Sequence, residues 1–268
     1  MKKLIFMSLL FSYQLKPCDF NELLKCNLPK INVAQLCNVE KELQLYEAAL
    51  KDESNYSGVP TLDGWIDQGY EYPHINPVHQ RLLDAVKPLT VESVCELGAG
   101  CGKISKYIFA QKPHIKLTCV EHDSTHLAQI NENFKTRTHI IAPDISVEAN
   151  IIKGSLHNLP MIAPESFDLV FTCTVMMHLP FIVAVKAAEE IVRISKRYIL
   201  HVENKNQGGD WYSMTIVKPA TMSQANLVGI DYPRLYENLG VKTLIYYEYQ
   251  DPASPATGVV YLGEKISQ

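Results

Sequence analysis

Four absences narrow the class of this chain before any motif is considered. No CxxC pair occurs among its seven cysteines, so the thiolate spacing of a zinc ribbon is missing. There is no basic excess: 25 Lys and Arg stand against 29 Asp and Glu, a net charge of -4. A surface that grips a long phosphate backbone carries clustered positive charge, so this balance argues against a nucleic-acid partner. No apolar run reaches the roughly 20 residues that a bilayer-spanning helix needs. No internal repeat and no low-complexity tract breaks the chain. What remains is 47% hydrophobic and 20% charged over 268 residues. That is an ordinary globular composition, long enough for one large domain and an appendage.

The cysteines and the N-terminus bear on compartment. Cys95, Cys119 and Cys173 fall in apolar runs and read as small buried hydrophobes. Cys18, Cys26 and Cys37 leave a disulfide or a metal cluster open on spacing alone. Free thiols suit a reducing compartment, so a cytoplasmic location is expected and no metal site is assigned. Lys2 and Lys3 precede the apolar run 4–11, which looks like the start of a signal peptide. No small-x-small cleavage site follows, and Leu15-Lys16-Pro17-Cys18 puts Lys and Pro where a lipoprotein signal takes small residues. An amphipathic helix docked on the domain is one alternative. Export or membrane association through residues 1–13 is another.

The pattern changes along the chain. Residues 1–75 read as a helical and irregular extension. Residues 39–50 carry Leu43, Tyr46 and Leu50 at helical spacing, and Trp65, Tyr70 and Tyr72 form an aromatic cluster before the main domain. Residues 76–268 read as that domain. Helices are expected at 77–86, 103–111, 125–134 and 180–194, and strands at 91–97, 116–121, 150–154, 167–173, 197–203, 241–249 and 257–264. Helices alternating with apolar strands predict an α/β fold: a doubly wound, seven-stranded, mostly parallel sheet covered on both faces. Residues 204–240 interrupt the rhythm with Gly, Asn, Trp, Tyr and Pro, and a long insertion of this kind is often functional.

One segment carries recognisable chemistry. Glu96-Leu97-Gly98-Ala99-Gly100-Cys101-Gly102 lies between a strand and a helix. Glycines there permit a tight turn and a close approach of a ligand to the backbone. The spacing is GxGxG, not the GxGxxG of dinucleotide sites, and no phosphate-cradling GxxxxGK[ST] occurs. An acid beside the turn would repel a pyrophosphate but suits the ammonium of an amino-acid moiety. Glu121 ends the next strand, where a carboxylate can accept hydrogen bonds from ribose hydroxyls.

With these residues in place, the chain resembles the class I S-adenosylmethionine-dependent methyltransferases, in particular methyltransferase domains of the type 11, 12 and 25 kind. The first motif of that family matches Glu96 to Gly102 without a gap. Glu121 matches the acidic end of the second strand. Gly154-Ser155-Leu156-His157-Asn158-Leu159-Pro160 is similar to its third motif, and Phe167-Asp168-Leu169-Val170 with Met176-Met177-His178-Leu179 to its fourth. The resemblance covers about 76–203, and 258–263 fit the family's terminal hairpin. It implies a Rossmann-like sheet with the last strand antiparallel and S-adenosylmethionine as cofactor. The cofactor contacts it implies are Glu96, Gly98, Ala99, Gly100, Gly102, Glu121, His122, Ser155, Leu156 and Cys173. Ser155 is the departure: the family often has Asp there, accepting from the adenine amino group.

The resemblance also frames the reaction. A sulfonium methyl is already activated, so in-line placement and exclusion of water do most of the work. A base is needed only for a hydroxyl or protonated-amine acceptor. His178, His201 and Glu203, at the carboxyl ends of the fourth and fifth strands, are the candidate catalytic residues. Asp210, Trp211, Tyr212, Asp231 and Tyr232 are candidates to line an acceptor pocket, and the Trp65, Tyr70 and Tyr72 cluster is a candidate lid. No Asn/Asp-Pro-Pro-Tyr tetrapeptide is present, which favours a small-molecule acceptor over a nucleic-acid base. The alternatives are a macromolecular acceptor, a catalytically silent cofactor-binding subunit, aminopropyl transfer, and a secreted binding protein.

Overall fold

The computed structural model describes residues 75–135, 145–179, 181–205, 212–217, 225–250 and 257–266, with residue 44 alone before them. The expected helix at 39–50, the aromatic cluster and lid, the three N-terminal cysteines, the signal-like run, Asp210 and Trp211 lie outside the described residues, as does nearly all of the extension 1–75.

The domain opens on a helix whose start is written in two residues. The Asn76 side chain accepts from the Val78 amide at 2.8 Å, and Pro77 occupies the first helical position, so α1 spans Pro77–Val86. β1 (Ser93–Leu97), α2 (Lys103–Gln111), β2 (Lys116–Glu121), α3 (Ser124–Lys135) and β3 (Ala149–Lys153) follow. Then come β4 (Phe167–Cys173), a single 3-10 turn (Met176–His178), α4 (Phe181–Ile194) and β5 (Ser195–Asn204). The insertion supplies β6 (Tyr212–Val217), β7 (Ala225–Ile230) and α5 (Tyr232–Glu237), and β8 (Val241–Gln250) and β9 (Thr257–Lys265) close the chain order.

Seven strands form one sheet in the order β3-β2-β1-β4-β5-β9-β8. β1 pairs in parallel with both β2 and β4, β2 with β3, and β4 with β5. β9 is antiparallel to both neighbours, β5 and β8. This is the expected doubly wound sheet with its last strand reversed. Strand order reverses between β1 and β4, and the crevice above such a switch point is where open α/β sheets bind ligands.

Strict alternation builds the two faces. On β4, Leu169, Phe171 and Cys173 pack into one core with Leu82 of α1, Ile108 of α2 and Ile130 of α3. Val170 packs into the other with Val183 and Ile191 of α4 and Tyr232 and Tyr236 of α5. Burying each large side chain contributes about 1.5–3 kcal/mol. Asp168 works at the amino edge of the sheet. Its Oδ2 accepts from the Glu92 and Ser93 amides and the Ser93 hydroxyl at 2.8–2.9 Å, fastening β4 to β1 at the end opposite the switch-point crevice.

The described residues of the insertion, 212–217 and 225–240, are largely regular structure. β6 and β7 pair antiparallel from Tyr212↔Ile230 to Val217↔Ala225, and a bridge from Lys205 to Ile230 joins them to the end of β5. Asp231 caps α5 by accepting from the Arg234 amide at 3.1 Å. Among the described residues no helix is long and apolar enough to cross a membrane, and no group of three or more His, Cys, Asp and Glu is arranged to hold a metal ion.

Candidate active site

The carboxyl ends of β1 and β2 converge on the glycine turn. Gly98, Gly100 and Gly102 adopt φ of 72°, 54° and 75°, a left-handed region that L side chains resist. The Gly98 and Ala99 amides donate to the Val120 carbonyl at 2.8 and 3.1 Å, which pins the turn to β2. A Cβ at Gly98 would stand 2.7 Å from both γ-carbons of Val175, and one at Gly102 would stand 2.7 Å from the Phe134 ring. At Gly100 a Cβ would meet nothing within 4 Å. The turn is therefore packed from below at its first and third glycines and open at its middle one.

Glu121 anchors the far side of that opening. One carboxylate oxygen accepts from the Gly100 amide at 2.8 Å, the other from the His122 and Asp123 amides at 2.8 and 3.0 Å. Burial works against its ionised form, but these bonds and the His122 ring outweigh it and hold the carboxyl below the usual glutamate value. Glu121 is thus a fixed anion at the edge of the turn. Asp123, two residues on, starts α3 by accepting from the His126 amide at 2.8 Å.

Glu96 behaves in the opposite way. It is 2% exposed, and one carboxyl oxygen accepts from both the amide and the hydroxyl of Ser105. Burial pushes its carboxyl up to about 8, against the pull of Ser105 and with help from the negative Glu121. Its side chain ties β1 to the first turn of α2, and at neutral pH it carries a proton. The unfolded chain releases that proton near 4.5, whereas the folded chain keeps it to about 8. The folded state binds the extra proton in that window, so this contribution is full below 4.5 and lost as pH rises to 8. Glu96→Gln, which cannot ionise, should gain on the wild type by on the order of 3–5 kcal/mol between pH 5 and pH 8. Urea unfolding at the two pH values reads this, and parallel stability curves for the two proteins would refute it.

Beyond β3, the Gly154 amide donates to the Glu121 carbonyl at 3.0 Å, placing Ser155 beside the second strand's end. The Ser155 hydroxyl pairs with His157 Nδ1 at 2.9 Å, a partner that sequence reasoning did not single out. Leu156 is buried behind it. Beyond β4, Cys173 is buried and Thr174 takes a φ of 56°, a strained value for a β-branched residue. Val175 then reaches back over Gly98. His178 ends the 3-10 turn as an exposed residue, while the protein packed around its ring lowers the imidazole to about 4.

His201 departs from expectation. It is fully buried, stacked on Tyr232 and Tyr236 with ring centroids 4.8 and 5.2 Å away. Both ring nitrogens have partners: Nδ1 the Thr172 hydroxyl and Nε2 the Tyr236 hydroxyl, each at 2.7 Å. Burial drives its imidazole down to about 3. A direct proton-transfer role does not fit a neutral, satisfied ring inside the core. Tyr232 is fully buried as well, so it does not line an acceptor pocket, and Asp231 serves as a helix cap. Glu203 is 2% exposed, with its carboxylate turned into the protein on Thr172 and the Val175, Met176 and Met177 amides. The side chain of Tyr212 lies outside the described residues. Of the three candidate catalytic residues, only His178 faces the exterior.

Comparison with known proteins finds the same fold. Residues 94–197 match a family model described as a methyltransferase domain. A 1,6-didemethyltoxoflavin-N1-methyltransferase from Burkholderia thailandensis superposes with a TM-score of 0.57 at 14% identity, over 84% of this chain and 90% of that one. A methyltransferase from Methanosarcina mazei gives 0.56 at 13%, over 72% and 99%. Magnesium protoporphyrin IX methyltransferase from Synechocystis gives 0.53 at 13%, over 80% and 97%. No curated protein matches the sequence itself. Residues 94–197 are thus similar to a methyltransferase domain, and the chain shares the fold of solved S-adenosylmethionine-dependent methyltransferases.

Proposed function

We propose that the protein transfers a methyl group from S-adenosylmethionine to an oxygen or nitrogen of a small-molecule acceptor. The observation that supports this most is the open middle of the glycine turn, with room above Gly100 and the fixed Glu121 carboxylate beside it. A ligand with an ammonium at one end and vicinal hydroxyls further on suits that arrangement. Gly98, Ala99, Gly100 and Gly102 allow the close approach. Glu121 takes the ribose hydroxyls, and His122, Ser155 and Leu156 flank the adenine. Glu96 lies under the amino-acid end, where an incoming ammonium would favour loss of its proton. Cys173 closes the floor at the end of β4.

When bound, the cofactor supplies an electrophilic methyl on a sulfonium. The protein's share is to hold that methyl in line with the acceptor and to keep water out. His178, at the end of the 3-10 turn, is the candidate left to accept a proton from a hydroxyl or ammonium acceptor, and with its imidazole lowered to about 4 it is neutral and free to do so at physiological pH. The toxoflavin-type neighbour's own name describes a small heterocyclic acceptor, and the absent Asn/Asp-Pro-Pro-Tyr tetrapeptide points the same way.

One observation favours a second reading. With His201 and Glu203 turned inward, only one candidate base remains, as a catalytically silent cofactor-binding subunit would allow. Calorimetry with S-adenosylmethionine should show binding of roughly micromolar affinity, about −8 kcal/mol. A methyl-labelled cofactor incubated with metabolite extract should then label a small molecule. Binding without any labelling would support the silent subunit, and absence of binding would overturn the proposal.

A further inference from the structure

The groups behind the β4 turn form one buried chain of hydrogen bonds. In-register pairing of β4, β5 and β9 sets Thr172, His201 and Tyr261 side by side on one face of the sheet. Thr172 has a single hydroxyl proton, and it goes to Glu203 Oε1 at 2.7 Å. The bond between Thr172 and His201 Nδ1 is then donated by the ring. A neutral ring with its proton on Nδ1 leaves Nε2 to accept from the Tyr236 hydroxyl. While Glu203 is ionised the direction is therefore Tyr236 to His201 to Thr172 to Glu203.

Glu203 ends the chain and holds the turn. Its Oε1 accepts from the Val175 and Met176 amides at 3.0 and 3.2 Å, its Oε2 from the Met177 amide at 3.3 Å. Three consecutive amides and a hydroxyl thus converge on one carboxylate. The segment they hold follows Thr174, whose positive φ needs surroundings that over-determine it. The held segment starts with Val175, whose side chain lies over Gly98.

We infer that Glu203, oriented by the Thr172–His201–Tyr236 chain, is the positioning residue that presses the Val175–Met177 segment onto the cofactor turn. The inference rests on the proposed cofactor reading for its consequence, though not for its geometry. A protonated Glu203 can place its hydrogen only on Thr172 Oγ1, which reverses the chain through His201, and it offers the three amides a neutral carboxyl in place of a carboxylate, a weaker acceptor. Burial lifts its carboxyl to about 7, with the amides and Thr172 pulling the other way. The ionised form that holds the turn therefore fills in as pH rises from 6 to 8. Among the described residues the ionisable groups around it are Cys173 of β4, His201 on its own strand, and Tyr232 and Tyr236 of α5. β7, which also packs on the turn, contributes none. Burial holds His201 neutral and raises Cys173 and both tyrosines, so none of them titrates in that range.

The test uses the full chain and S-adenosylhomocysteine as the probe. Wild-type affinity should rise about 10-fold more than that of Glu203→Gln between pH 6 and pH 8, because the variant stays at the low-pH level. Glu203→Asp should recover part of the rise. Thr172→Val, which keeps the charge but removes the orienting hydroxyl, should weaken binding several-fold. Hydrogen exchange should show the Val175, Met176 and Met177 amides exposed at least 10-fold faster in Glu203→Gln. Unchanged exchange of those amides in the variant overturns the inference, whether or not the probe binds. Faster exchange with an unchanged binding pH profile overturns the link to the cofactor turn. If wild type fails to bind the probe, the cofactor reading fails, and the exchange result still decides the role of Glu203. Should Glu203→Gln not fold, the same exchange measurement on Thr172→Val decides it.

Discussion

Gly98→Val is expected to lower the affinity for S-adenosylmethionine by 100-fold or more. Two independent costs meet at this residue. A β-branched side chain at φ 72° is strained wherever it is placed. Its Cβ would also stand 2.7 Å from both Val175 γ-carbons, a separation that real Cβ atoms do not show. One of the two must move, and both line the same turn. A 100-fold loss is about 2.7 kcal/mol, a modest demand for strain plus overlap. Calorimetry on Gly98→Val and on Gly98→Ala/Val175→Ala separates the causes. The double variant relieves the overlap and keeps the backbone strain, so it should recover part of the binding. Wild-type affinity in Gly98→Val would remove the turn from the site.

Glu121→Gln should weaken S-adenosylmethionine binding roughly 30- to 100-fold, about 2–3 kcal/mol. The side chain keeps its shape but loses its charge. It must also present an NH2 either to the Gly100 amide or to the His122 and Asp123 amides, so two donors face each other. Because the wild-type carboxyl is held below the ordinary glutamate range, its contribution should stay constant from pH 6 to 9. A sharper reading comes from the 2′-deoxyribose analogue of S-adenosylhomocysteine. Wild type should prefer the ribose form, and Glu121→Gln should lose most of that preference. An equal preference in both proteins would leave Glu121 as a loop anchor only.

The parts of the fold that were legible in the sequence are those written locally. Apolar alternation and helical spacing placed the strands and helices of residues 76–203 to within a few residues, because each buries a continuous stripe. The turn at Gly98 was readable because its glycines serve a backbone conformation that few other residues tolerate. His201 and Glu203 were visible as polar residues in an apolar strand, but their partners were not. Glu203 takes amides from 26–28 residues upstream, and His201 is covered by Tyr236 from 35 residues downstream. Such pairings depend on register between strands, which composition does not reveal. Thr172 could have been found by the same signal, being polar in the run of β4. The hairpin of β6 and β7 was hidden by the Gly and Asn that it shares with loops.

The position of β9 has a consequence for how the chain reaches this state. It follows β8 in sequence yet lies between β5 and β8 in the sheet. During synthesis β8 emerges with no neighbour to pair with, and β5 ends in an open ladder. Both wait for the strand that is translated after them, and the sheet closes only when β9 enters the gap from the reversed direction. Folding of the whole sheet is thus tied to its latest segment, a high-contact-order step that delays closure and leaves two sheet edges exposed until it occurs.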